Sequence, residues 1–269
     1  MKNKRVLYVS SEVTPYTPLT EMSEMSFESA KKAHHKGVQT RIFMPRFGLI
    51  NERRHQLHEV IRLSGMNLIV NDIDMPLIIK VASIPKERMQ VYFIDNEEYF
   101  KRKATFLDED DNLFPDNDER AIFFAKGVVE TVKKLNWAPD IIHVHGWMAC
   151  LLPLYLKEYY KDDALFANTK IVVSVYDNEF EGALDKGLAE KIRFDEISEE
   201  KAKSLENPTF SNLLKSAIDH SDAVIKASKF VSDDLEDYLE DLEKPFLDYQ
   251  TEDTFAEAYL EFYSEKVLN

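Results

Sequence analysis

The segment "RVLYVSSEVTPYTPLTEMSEMSFESAKKAHHKGVQTRIFMPRF", residues 5 to 47, passes through two different hydrophobic periods. "RVLYVSS" is a continuous β-branched and aromatic run, the pattern of a buried strand. "MSFESAKKAHHKG" has helical spacing and closes on Gly37, the residue type that ends helices in a left-handed turn. "VQTRIFMPRF" returns to strand character. Strand, helix and strand joined by short links make a βαβ unit, which predicts a parallel sheet. In such units the first turn commonly cradles phosphate on glycine-rich backbone. Here that turn holds Pro18, Thr20 and Glu21, with no glycine before Gly37.

Further along, "QLHEVIRLSGMNLIVN", "MPLIIKVASI" and "MQVYFIDN" alternate apolar and polar residues and read as half-buried strands, an antiparallel or mixed hairpin excursion. "DNDERAIFFAKGVVETVKKLNW" predicts a long amphipathic helix capped by Asp116 or Asn117. "DIIHVHG" and "TKIVVSVYD" are two more buried strands. Between them "WMACLLPLYLKEYY" reads as helix, with Pro153 in its first turn. "DKGLAEKIRFDEISEEKAKSLENP" is charged and helix-prone, and "TFSNLLKSAIDHSDAVIKAS" is helix then short strand. From Val231 onward the chain reads as acidic helix interrupted at Pro245. These elements predict an α/β protein with a Rossmann-like, mainly parallel sheet. The expected organisation is one domain over 1–230 and a helical appendage over 231–269 packing on it.

The chain has 269 residues and a formal charge of −15, from 34 Lys and Arg against 49 Asp and Glu. An acidic surface disfavours nucleic acid and anionic membranes, which require basic patches. The single cysteine, Cys150, forms no intrachain disulfide and no multi-cysteine metal site, which fits a reducing cytoplasm. The N-terminus lacks the pattern of a signal peptide, and no run of 18 or more apolar residues occurs. A cytoplasmic location, with no metal and no cofactor, is therefore expected.

In order, "VLYVSSEVTPY", "IFMPRFGLIN", "VYFIDNEEYF", "DNDERAIFF" and "APDIIHVHGWMACLLPLYLK" resemble the N-terminal half of bacterial glycogen synthases and starch synthases, family 5 retaining glycosyltransferases of the GT-B fold. The resemblance implies the N-terminal domain of a two-domain enzyme that transfers glucose from ADP-glucose to the non-reducing end of an α-1,4-glucan. It also implies that a C-terminal domain supplies most donor contacts and the essential carboxylate. "FAEAYLEFYSEKVL" is similar to the helix with which such enzymes close back on the N-terminal domain.

Against that family pattern the chain departs at four places. The family's K-T-G-G-L turn aligns with Pro18, Leu19, Thr20, Glu21 and Met22, losing the cation and both glycines. Its H-A-H-D-W-H reads "HVHGWM": His143, His145 and Trp147 remain, while Gly146 replaces the acid and Met148 the last histidine. Tyr176 and Asp177 stand where the family has a sugar-facing histidine and an asparagine. Finally, a second Rossmann-like domain needs well over about 100 residues, more than follow the last matching motif. The expectation is a degenerate glycosyltransferase domain acting in binding or regulation. The alternative is a glucosyltransferase active only with a donor domain from another chain.

No residue is assigned a catalytic role; the resemblance implies that Met148, Tyr176 and Asp177 occupy altered family positions. The cleft candidates are Thr20, Glu21, Tyr99, His143, His145, Trp147 and Tyr176, with Tyr99 and Trp147 as rings on which a sugar could stack. Arg46, Arg53 and Arg54 form a local basic cluster suited to an anion or an acidic partner helix, or else a solvated face. The partners expected are a glucan or small molecule in the cleft, and a protein or second copy through the acidic C-terminal helices, where Leu235, Tyr238, Leu239 and Leu242 form one stripe.

Overall fold

The computed structural model describes residues 1–269. Ten strands form the sheet: β1 (Arg5–Ser10), β2 (Gln39–Pro45), β3 (His58–Glu59), β4 (Met66–Val70), β5 (Ile73–Ser83), β6 (Gln90–Asp95), β7 (Ile141–His145), β8 (Lys170–Val175), β9 (Ala223–Lys226) and β10 (Phe246–Leu247). The order is β10-β9-β8-β7-β1-β2-β6-β5-β3, with β4 paired to β5. Every pair from β10 to β6 is parallel, and the β5–β6 and β4–β5 pairs are antiparallel. This is the predicted α/β fold with its hairpin excursion. The central strands β1, β7 and β8 are buried almost end to end, as strands covered on both faces must be.

Ten α-helices accompany the sheet: α1 (Glu21–His35), α2 (Glu52–His55), α3 (Glu97–Phe100), α4 (Asn117–Leu135), α5 (Leu151–Leu154), α6 (Leu188–Phe194), α7 (Glu199–Ala202), α8 (Phe210–Asp219), α9 (Asp233–Glu240) and α10 (Phe255–Phe262). A π turn, Tyr155–Tyr159, continues α5. Pro153 lies in the first turn of that stretch, where its missing N–H costs no hydrogen bond.

Several elements differ from the sequence expectation. α1 begins at Glu21, a full turn before Met25, because Thr20 and Ser23 form a reciprocal cap. At α4 it is Asp116 that precedes the helix, yet its carboxylate caps nothing and instead grips Arg102 at 2.8 and 2.5 Å. The region after Val231 is not helix throughout, since Phe246 and Leu247 join the sheet beside β9. The charged stretch after Asp185 is anchored by buried Leu188, Ile192, Ile197 and Leu205. Arg46 is no free cation: its Nε lies 2.9 Å from Asp95 and 3.4 Å from Glu52. The stripe of α9 faces its own domain, with Leu235 and Leu239 buried. α10 packs on α1, as a closing helix would.

Candidate functional site: an acidic cleft at the sheet switch point

β1 lies between β7 on one side and β2 on the other, so the crossover direction reverses beside it. Ligands in open parallel sheets bind outside the carboxyl ends of the strands at such a point. A cleft of about 270 Å³ lies there, walled by Glu12 after β1, Thr20, Glu21 and Met22 at the start of α1, Tyr176, Asp177 and Glu179 after β8, Ser228 after β9, and Phe106.

The start of α1 explains what became of the phosphate turn. Thr20 Oγ1 accepts the Ser23 N–H at 3.1 Å, and Ser23 Oγ accepts the Thr20 N–H at 2.8 Å. Two N–H groups that a helix N-terminus would offer an anion are thus satisfied internally. The negative charge that favours this helix end is also built in, as Glu21 and Glu24. Thr20 Oγ1 further donates to Glu12 at 2.7 Å, and Ser228 Oγ donates to Glu21. Ser228 Oγ also accepts the Asp177 N–H at 3.1 Å, which ties the β8 and β9 loops to α1.

Glu12, Glu21, Asp177 and Glu179 bring four carboxylates to this cleft, and no Lys, Arg or His lines it. Burial pushes Glu12 above the usual carboxylate range, partly offset by its bond from Thr20. Burial, with Glu12 nearby, pushes Glu179 well above that range, although the Trp147 N–H donates to it at 3.0 Å. No group of three or more His, Cys, Asp or Glu side chains is arranged to hold a metal ion.

Of the residues singled out in the sequence, Thr20, Glu21, Tyr176 and Asp177 come together in the cleft. His143, His145, Trp147, Met148 and Tyr99 do not line it. His143 and His145 lie on one face of β7, as residues two apart in a strand must, and both are wholly buried. His143 Nε2 meets Ser174 Oγ at 2.8 Å and its Nδ1 meets the Tyr263 hydroxyl of the C-terminal segment at 2.6 Å. His145 Nδ1 meets the Tyr176 hydroxyl at 2.7 Å. Burial holds both imidazoles neutral, His143 well below its ordinary value and His145 down to about 3. Trp147 is sealed edge-on between Phe106 and Phe180, so neither ring face is open to a sugar. Met148 is buried, its N–H on Ser11 Oγ at 3.1 Å. Tyr99 is a core residue whose hydroxyl donates to Glu119 at 3.0 Å.

Sequence reasoning missed Glu12, Glu179, Phe106 and Ser228. Glu12 stands inside a quoted motif two residues after β1, and Glu179 lies four residues after β8; their position beyond strand ends was the available signal. Phe106 had none: it is carried by a loop that the first turns of α4 clamp, Asn117 holding the Phe106 carbonyl at 2.8 Å and Arg120 the Thr105 carbonyl at 2.6 Å.

A mainly parallel sheet with a hairpin excursion and a cleft at its switch point defines a Rossmann-like α/β domain. The starch synthase catalytic domain model matches residues 5–245, and the chain belongs to that family. It is 36% identical over 235 residues to the glycogen synthase of Chlorobium luteolum, covering 87% of this chain and 47% of that one. It is 35% identical over 230 residues to the glycogen synthase of Chlorobaculum tepidum, covering 84% and 46%. The chain thus spans about half the length of the curated relatives it matches. The catalytic domain of starch synthase IV from Arabidopsis thaliana, solved bound to ADP and acarbose, superposes with a TM-score of 0.75 at 16% identity, over 93% of this chain and 52% of that one, and so shares the fold. No helix is long and apolar enough to cross a membrane.

Proposed function

We propose that this glycogen/starch synthase-type domain does not itself transfer glucose and acts by binding. The observation that carries this reading is the cleft's lining: four acidic side chains and no cation, a poor setting for the diphosphate of a sugar nucleotide. Each unit charge brought to about 4 Å of a like charge costs about 4 kcal/mol at an effective dielectric of 20. The cap at the start of α1 withdraws the Thr20 and Ser23 N–H groups from any such anion. Tyr176 at the sugar-facing position is tied to His145, and burial raises its hydroxyl pKa further, so it is no substitute for an imidazole near neutral pH. The test is incorporation of labelled glucose from ADP-glucose into glycogen by the purified chain. Incorporation at the blank rate is expected; sustained turnover abolished by Glu21→Lys and Tyr176→Phe would overturn the proposal.

A second reading, transfer completed by a donor domain on another polypeptide, is favoured by one observation. Leu19 and Phe230 are 72% and 70% exposed, one residue before Thr20 and two after Ser228 in the chain, and suit an apolar contact. It predicts that activity appears on mixing with a chain carrying a sugar-nucleotide domain, and that Leu19→Ser with Phe230→Ser abolishes it. A partner docking on α9 instead would meet its acidic outer face, Asp233, Asp237 and Glu240.

A further inference from the structure

A second cavity, of about 710 Å³, lies near the β3 edge of the sheet. It shares no lining residue with the cleft. Its walls include Arg54 and His55 of α2, His58 of β3, and Lys86 and Arg88 of the turn that joins β5 to β6. Tyr16, from the loop after β1, also lines it. No carboxylate does, in a chain whose formal charge is −15.

The positive charge is left free. Arg54, Lys86 and Arg88 form no ion pair, whereas Arg46 and Lys80 are both held by Asp95 and Glu52. Glu87, the acid between Lys86 and Arg88, does not line the cavity and meets His35 Nε2 at 2.7 Å. Lys86 and Arg88 have φ +72° and +58°. Such left-handed backbone is uncommon for residues with side chains and gathers at ligand sites. Burial and the neighbouring Arg54 push the His55 imidazole below its ordinary value, so the fixed charge rests on the two arginines and the lysine.

A second observation is independent of charge. Tyr16 is only 4% exposed, and its hydroxyl has no hydrogen-bond partner in the protein. Its ring is fixed by Phe93, edge-on at 4.9 Å, and by His55 at 5.0 Å. Burial pushes its pKa up to about 12, so it stays a donor at neutral pH. A buried donor on a cavity wall lacks only an acceptor, which a ligand oxygen supplies.

Charge and donor together select the ligand. A cation is repelled, and a neutral molecule leaves three cations unanswered. A long polyanion or an acidic protein would extend onto the rest of an acidic surface, which repels it. A small molecule with a terminal phosphate fits: that group brings a charge of about −1.5 to −2 at pH 7 and three acceptor oxygens. We propose that this cavity binds the terminal phosphate of a small metabolite, with Arg54, Lys86 and Arg88 answering its charge and the Tyr16 hydroxyl donating to one of its oxygens, independently of what the cleft does.

Calorimetry at low ionic strength with inorganic phosphate, glucose 1-phosphate and ADP tests this, and the last two separate a sugar phosphate from a nucleotide. Glucose, ADP-glucose, which has no terminal phosphate, and a hexaglutamate peptide are comparators. Glucose 1-phosphate or ADP should bind saturably and more tightly than inorganic phosphate. Arg54→Gln and Arg88→Gln should each weaken that binding about tenfold. Tyr16→Phe keeps the ring and loses the donor. It should weaken binding several-fold while the melting temperature holds or rises, since no hydrogen bond within the protein is lost. Lys161→Gln, which removes an exposed cation outside the cavity, should bind as the wild type does. Three results would overturn the proposal: no saturable binding of inorganic phosphate, glucose 1-phosphate or ADP up to about 10 mM, unchanged affinity in both arginine variants and in Tyr16→Phe, or tighter binding of ADP-glucose or the peptide than of either phosphorylated probe.

Discussion

An added Cβ at Gly146 would stand 2.5 Å from Met22 Sδ and 2.5 Å from Ser11 Oγ, and the backbone there has φ +82°. The acid that the family carries at this position therefore has no room. Gly146→Asp should cost about 2–4 kcal/mol through overpacking and positive-φ strain, lowering the melting temperature by about 4–16 °C. A melt by circular dichroism checks it, and an unchanged midpoint would show that the β7 loop is not packed as described. At Lys126 the outcome is larger. Lys126→Ala leaves Asp195 buried without its cation, a loss of about 3–5 kcal/mol that denaturant titration would report. Neither residue was legible in the sequence as a packing constraint. Gly146 appeared only as a missing acid, and Lys126 and Asp195 are 69 positions apart, so no local pattern pairs them.

At the scale of elements, the central strands and the long helices were legible because each is a long run with one clear period. The early start of α1 was not, because a Thr20–Ser23 cap carries no hydrophobic signal. Thr20→Ala should cost about 1 kcal/mol through the lost cap. β10 was hidden too: two residues after a proline in an acidic stretch pair only because β9 lies alongside. The C-terminal segment reaches the core through Tyr263, whose hydroxyl satisfies His143. Tyr263→Phe leaves that buried nitrogen without a partner and should cost about 1–3 kcal/mol, measurable by denaturant titration. Of the candidate site, the residues on the α1 and β8 turns were legible from their place at strand and helix ends. The histidines were misplaced, because alternation tells which side of a strand a residue faces but not what covers that side. Here α10 and the residues after it cover it.

For the whole molecule, buried groups set how stability varies with pH. His143 and His145 have lowered values in the folded state, so below the ordinary histidine value of about 6.5 the unfolded chain binds more protons. Stability must then fall as pH drops from about 6.5 toward the folded value of about 3 for His145, at roughly 1.4 kcal/mol per unit for each histidine. Glu12 and Glu179 act in the opposite direction: with raised values they bind protons more readily folded than unfolded, so stability falls as pH rises through that window. Glu179→Gln should therefore raise the melting temperature at pH 8, and the gain should shrink as pH falls below the native value of Glu179 and vanish near the unfolded value of about 4.3. A variant less stable than the wild type at pH 8 would contradict the electrostatic account of the cleft.

That account is tested most directly by titrating ADP-glucose into the purified chain at low ionic strength, by calorimetry, beside a variant with Glu12→Gln, Glu21→Gln and Glu179→Gln together. The wild type should show no saturable binding up to about 1 mM, an affinity weaker than roughly −4 kcal/mol, and the triple variant should bind more tightly than the wild type. Saturable wild-type binding well below that concentration, weakened rather than strengthened by replacing the three acids, would contradict it.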